Sequence, residues 1–534
     1  MDTAADGFGG DNAARPGAYA MHPLYRLLAL PVLAFAADAS AQANFDCVAP
    51  PTPILVNPVV LGNGSPGSVT TAQLQAALDA GGAIRLAIGN STLVVGSELR
   101  VTRATVLDAG GATLSGGNAR RVLRVDNPSN ATYTFDLVNA TIANGSTPTG
   151  SGAGLWKPTG GPWQAVTIRV FHSRFSNNRA IVTAQDDGGG GIYVVGAQAL
   201  VLVDVAMSGN EGANGGAIYS LGSKRIDLFD SELANNRATG TGGNPGNGGN
   251  AGAFGIDGAD RFVNLCRTRI LGNTANAYGG GVFTTVYDTT SFTRILDSTI
   301  ADNTSSGSSN AHTGGVYLQG GPFSIRNSTF AGNSAAGYGG LSIFDHQTGT
   351  LIRASGDITS STFHGNIARS GLGGAMNLQG SGGIVLQNLT IAGNRALCDV
   401  CFAAGIANGN GLPITLRNTI FADNTAGNPW NPWAILHPVA GSNNLQWPQF
   451  RPVSNQAEAA VTPGSQFADA GLGALGMHGG PTATMPIGAA SPARDAGTAT
   501  GATATDQRGL PRVGAVDVGA YEWQPDLLFA NGFD

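Results

Sequence analysis

Between residues 168 and 424 one short pattern recurs nine times. Its closing residues are Asn178, Asn210, Asn236, Asn273, Asn303, Asn333, Asn366, Asn394 and Asn424. The steps between them are 32, 26, 37, 30, 30, 33, 28 and 30 residues. In the cleanest copies an apolar residue stands eight places before the asparagine, a polar one six before and an apolar one three before. Leu386, Asn388, Ile391 and Asn394 form one such set; Leu416, Asn418, Phe421 and Asn424 form another. A period of this size marks a stacked solenoid. A length of 534 residues would otherwise suggest several globular domains, but a solenoid grows by adding coils to one continuous core.

Each repeat reads as strands. Ile414-Thr415-Leu416 alternates apolar and polar residues, the period of a strand with one buried face. A second strand follows a glycine pair, as in Gly215-Gly216-Ala217-Ile218-Tyr219 and Gly314-Gly315-Val316-Tyr317. No helical period intervenes, so each repeat predicts one coil of an all-β, right-handed parallel β-helix. One coil alone cannot fold: ordering costs roughly 1–2 kcal/mol per residue, while each buried large apolar side chain returns only about 1.5–3 kcal/mol. The recurring asparagine suits a turn, where it tolerates left-handed φ, and stacked amides can bond one another in a ladder. This structural role is preferred to a row of ligand-binding amides, because the spacing follows the coil. Residues 71–79 predict a short helix with Leu74 and Leu78 on one face, Thr70 or Thr71 as N-cap and Gly81-Gly82 at its end. Its expected place is over the N-terminal mouth of the core.

Composition narrows the function classes. Glycine is 81 of 534 residues, charged residues are 12% and lysine occurs only at Lys157 and Lys224. So few cations argue against nucleic acid as a partner. Residues 21–41 read as a secretory signal, with Arg26, the apolar run Leu27 to Ala37 and the small-x-small site Ala39-Ser40-Ala41. Residues 1–20 do not fit a signal's start and read as an extension, with translation expected from Met21. No later stretch reads as a transmembrane helix. Four cysteines suit an oxidising compartment. Cys398 and Cys401 are expected to pair, and the state of Cys47 and Cys266 is left open. The remaining divisions are an irregular linker at 42–69, the β-helix with its cap at 70–445, a C-terminal block at 446–523 and a tail at 524–534.

Two resemblances extend this reading. Gly216-Ala217-Ile218 and Phe330-Ala331-Gly332-Asn333 resemble the GGA[ILV] and FxxN repeats of polymorphic outer membrane proteins. Gly441-Ser442-Asn443-Asn444-Leu445, His478-Gly479-Gly480-Pro481-Thr482, Thr505-Asp506-Gln507-Arg508-Gly509 and Asp517-Val518-Gly519-Ala520-Tyr521-Glu522 are similar to motifs of the choice-of-anchor Q family of exported β-helix proteins. That resemblance implies a block after the repeats that precedes a surface-sorting segment. Leu528 to Asp534 is similar to short sorting ends on exported proteins of some gammaproteobacteria. The expected location is therefore outside, or on the surface of, a Gram-negative bacterium. The chain lacks the amphipathic barrel strands of an autotransporter.

No catalytic constellation stands out in the sequence. Asp345-His346 with Asp357 and His364 is the best acid–base grouping. Asp186-Asp187 and Asp257 with Asp260 read as turn residues, with calcium the one ion they suggest. No Arg-x-Lys of a galacturonase-type site is present. Trp156, Trp163, Trp430 and Trp433 are the aromatic candidates for stacking on sugars, against a role in covering irregular coils. Tyr193, Tyr219 and Tyr317 are expected to stack internally or at an edge. The reading is a non-catalytic adhesin or glycan-binding scaffold for an extracellular polysaccharide or host glycan. A lyase or hydrolase acting on acidic polysaccharide is the first alternative, and a ligand-free structural component the second. Function is expected where the repeat is broken: the loop Thr239 to Gly252, the Cys398–Cys401 loop and the chain after Asn424.

Overall fold

The computed structural model describes residues 47–180, 184–243, 247–258, 262–307 and 312–525. The extension at 1–20, the signal at 21–41, Asp260 and the sorting end from 526 onward lie outside the described residues. Three parallel sheets of 24, 10 and 11 strands, here called sheets I, II and III, build the solenoid; sheet I runs from Val59 to Phe467, sheet II from Ser146 to Ala426 and sheet III from Leu99 to Asn408. One coil visits them in turn. Ile192–Val195 lies in sheet III, Ala199–Ser208 in sheet I and Glu211–Gly212 in sheet II, and the chain then re-enters sheet III at Ile218–Leu221. The architecture is a right-handed parallel β-helix, the hand that parallel crossovers adopt almost without exception.

Repeat positions become rungs in register. Ile300 pairs with Phe330, Phe330 with Phe363 and Phe363 with Ile391. The rings of Phe330 and Phe363 stack with centroids 4.6 Å apart. These residues belong to one continuous core running from Val69 to Val461.

All nine asparagines form the expected ladder. Each carboxamide Nδ2 donates to the Oδ1 of the next, at 2.9–3.0 Å, from Asn178 through to Asn424. The structure corrects one part of the expectation. The left-handed residue is the one before the asparagine: Asn177, Gly209, Asn235, Gly272, Asp302, Gly332, Gly365, Gly393 and Asp423 all have φ between 52° and 66°. With the turn made there, the asparagine side chain is free to point inward. A second corner stands six residues before the ladder, where His172, Asp204, Asp230, Arg267, Asp297, Asn327, Ser360, Asn388 and Asn418 have φ between 43° and 54°. The following residue often carries a hydroxyl that accepts the backbone N–H of the coil before, as Ser298 does from Thr268 and Ser328 from Ser298.

The ends of the core are covered. The helix Thr71–Ala80 is capped by Thr70, whose Oγ1 accepts from the Gln73 N–H, and Leu74 and Leu78 are fully buried. The stretch expected as a linker is docked instead. Val59–Leu61 pairs with Gly82–Leu86, and Cys47 is bonded to Cys266 across 219 residues. Cys47 and Ala49 thereby cover an apolar patch of Val138, Phe171, Val201, Val203 and Phe229 outside sheet I. Cys398 and Cys401 are bonded as expected.

The C-terminal block folds back over the second corner. Gln507, fully buried, donates to Thr329 Oγ1 at 3.0 Å and accepts from Thr362 Oγ1 at 2.6 Å. Arg512 pairs with the buried carboxylate of Glu522, and Asn444 Oδ1 accepts from the Thr419 N–H. The motifs that carry the family resemblance are therefore packing residues in this chain. Parallel pairing also runs past residue 445, since Leu445–Trp447 pairs with Gln466–Phe467.

Candidate functional site

The outer face of sheet III carries two rows of side chains, because alternate residues of each strand point away from the core. The first row runs through Trp156, Tyr193, Tyr219, Gly255, Phe283 and Tyr317. Tyr193 and Tyr219 stack at 6.2 Å, and Phe283 and Tyr317 at 5.5 Å. The tyrosines thus stack on the outside of the solenoid, not inside it. They are nevertheless buried, because the loops entering sheet III fold over them; Tyr193 Oη, for example, donates to the Asp186 carbonyl.

The second row, Val195, Leu221, Asp257, Thr285 and Gln319, floors a groove. A cavity of about 440 Å³ opens there, walled by Trp163, Gln185, Asp186, Asp257 and Tyr287. Trp163 is 57% exposed yet held flat. Its indole lies across Gly196 and Gly222, the turn residues of two successive coils. A Cβ on Gly196 would stand 2.5 Å from the ring's Cε3, and one on Gly222 would collide with its Cζ2. Gln164 fixes the same loop through its N–H to Gly196 O and its Nε2 to Gly222 O.

Polar groups converge beyond the indole. Tyr287 Oη donates to Asp257 Oδ1 at 2.5 Å. The His346 ring tilts against Tyr287 at 4.7 Å, with Nδ1 3.2 Å from Thr285 Oγ1. Burial holds the His346 imidazole below its ordinary pKa, partly offset by the charge of Asp257. The Asp186 carboxyl stands at the open rim. Partial loss of solvent holds it above the ordinary aspartate value, and the charges of Asp257 and Asp187 add to the shift.

The Asp345, His346 and Asp357 grouping does not assemble. Asp345 accepts from the backbone N–H groups of Ala354 and Ser381 and from Ser381 Oγ, bracing the hairpin that carries His346. Asp357 is on sheet I, where Arg326 Nε donates to it at 2.9 Å. His364 also lies in a sheet I strand. His346 instead joins the Asp257 and Tyr287 cluster.

Among the tryptophans, Trp156 is engaged by the guanidinium groups of Arg121 and Arg124 at 4.2 and 4.6 Å from its ring centre, and Trp433 is buried with its N–H groups bonded to Glu458 and Asn428. Trp430 is exposed near the last coils. Trp163 is the one built into the groove. Among the described residues no group of three or more metal-ligating side chains is placed to hold an ion.

The groove borders one expected break: Asp257 and Gly258 fall within the 37-residue step between Asn236 and Asn273. Tyr287 was not singled out by the sequence. The available signal was a glycine at the same place in two successive coils, Gly196 and Gly222, under a tryptophan.

No family model matches the chain, and no curated protein matches it. Among solved structures, tailspike protein 3 of bacteriophage CBA120 is similar at a TM-score of 0.30 and 13% identity, with 78% of this chain covered. The chain spans 63% of the tailspike's length.

Proposed function

We propose that the protein is an exported, non-catalytic β-helix that binds a glycan in the groove between Trp163 and His346, at the surface of a Gram-negative bacterium or outside it. The observation that carries this is the Trp163 platform. An exposed indole locked on two glycines offers a rigid apolar face at little ordering cost, and the carboxylates, amide and phenol beside it suit sugar hydroxyls. The secretory signal and the C-terminal motifs of choice-of-anchor Q type support export and surface sorting. Among the described residues no helix is long and apolar enough to cross a membrane.

A second reading is favoured by one feature. Asp186, whose pKa is raised by partial burial and then by neighbouring acids, shares the cavity with the carboxylate of Asp257, and glycoside hydrolysis uses a pair of carboxyl groups. One experiment separates the two. The mature protein is incubated with acidic and neutral polysaccharides, with and without calcium. Retention without new reducing or unsaturated ends is expected. Release of reducing ends alone, abolished in Asp186→Asn, would replace the binding reading with a hydrolase, and release of unsaturated ends would replace it with a lyase.

A further inference from the structure

The charge of the groove selects among glycans. Of the described residues that line the cavity, Asp186 and Asp257 are acidic and none is lysine or arginine. Asp257 is already held by Tyr287, whereas Asp186 presents its carboxylate at the exposed rim. The exposed Trp163 indole lines the same cavity and offers the strongest of the aromatic faces for a cation. A uronic acid would bring its own carboxylate against the exposed carboxylate of Asp186, which costs free energy. A sugar ammonium would instead meet a carboxylate on one side and an indole face on the other.

We propose that the groove takes an amino-sugar glycan whose amines are free, with the sugar ammonium held between Asp186 and Trp163. This rests on the glycan-binding reading and narrows it to a cationic polymer, away from the acidic polysaccharides of the alternative lyase or hydrolase reading.

The test compares two oligomers of one backbone: β-1,4-linked glucosamine hexasaccharide and its fully N-acetylated form. Binding is measured by calorimetry, below the pKa of the sugar amines and above that of the groove carboxylates. The free-amine oligomer is expected to bind about fivefold more tightly, from one exposed ion pair and one cation–π contact. Asp186→Asn, close in shape, should bring the two affinities within about twofold, and Trp163→Ala should weaken both. Equal binding of the two oligomers, still weakened by Trp163→Ala, would overturn the ammonium assignment and leave the glycan reading standing. Binding of either oligomer that Trp163→Ala leaves unchanged would overturn both.

Discussion

The carboxamide oxygen of Asn333 accepts two bonds from one residue: the backbone N–H of Asn303 at 3.1 Å and that residue's own Nδ2 at 3.0 Å. Asn333 in turn donates its Nδ2 to the Ile300 carbonyl and to Asn366 Oδ1. Each ladder asparagine therefore satisfies backbone groups that no strand pairing reaches, in a fully buried place.

Removing one rung leaves buried polar groups without partners. Asn333→Ala should cost about 2–4 kcal/mol, the penalty for one or two unsatisfied buried groups. Asn333→Asp should cost more, since it loses the donor and buries a charge. Urea denaturation followed by circular dichroism checks both values. A loss below about 1 kcal/mol for the alanine variant would show that the ladder is dispensable.

The Trp163 platform depends on its bed. A methyl group at Gly222 would collide with the indole, and at its φ of 60° any other residue adds about 1–2 kcal/mol of strain. Gly222→Ala should therefore weaken glycan binding nearly as much as Trp163→Ala, although it removes no group from the groove. Parallel titrations with one oligomer measure this.

Lys157 occupies an inward register beside Val194, with Nζ 2.7 Å from the Val195 carbonyl oxygen. Burial lowers its pKa from 10.5 to about 8. Between those values the unfolded chain binds more protons than the folded one, so stability rises as pH increases through that window. The gain is at most about 3.4 kcal/mol. Lys157→Met should flatten this rise, as seen in denaturation midpoints measured across the same pH range.

The C-terminal block is fastened through Gln507, which bonds Thr329, Thr362, Thr482 and the Ala483 carbonyl. Gln507→Leu should strand those groups at a local cost of about 2–4 kcal/mol. Faster tryptic cleavage at Arg494, Arg508 and Arg512, with the coil stack still intact by circular dichroism, is the expected result.

The coil was legible because the ladder asparagine and the apolar residue three before it are constrained by burial and recur. The polar position six residues earlier was legible but its role as a corner was not, because its constraint is a backbone angle that His172, Arg267 and Ser360 meet as well as Asn388. The tyrosines were misplaced for a related reason. Ile192-Tyr193-Val194-Val195 is buried on both faces, so no period of two shows which side is inward. The groove was hidden by distance in sequence: Trp163, Asp186, Asp257, Tyr287 and His346 come from separate loops and strands, joined only by coil register. Asp186 and Asp257 read singly as turn residues, and only stacking brings them to one cavity.

The central claim is that Trp163 is a glycan platform. It is tested most directly by titrating the wild-type protein and Trp163→Ala with the tightest-binding oligomer of the polysaccharide panel. The account predicts a loss of about tenfold or more in affinity, near 1.4 kcal/mol, with an unchanged melting temperature. Equal affinity in the two proteins would contradict it.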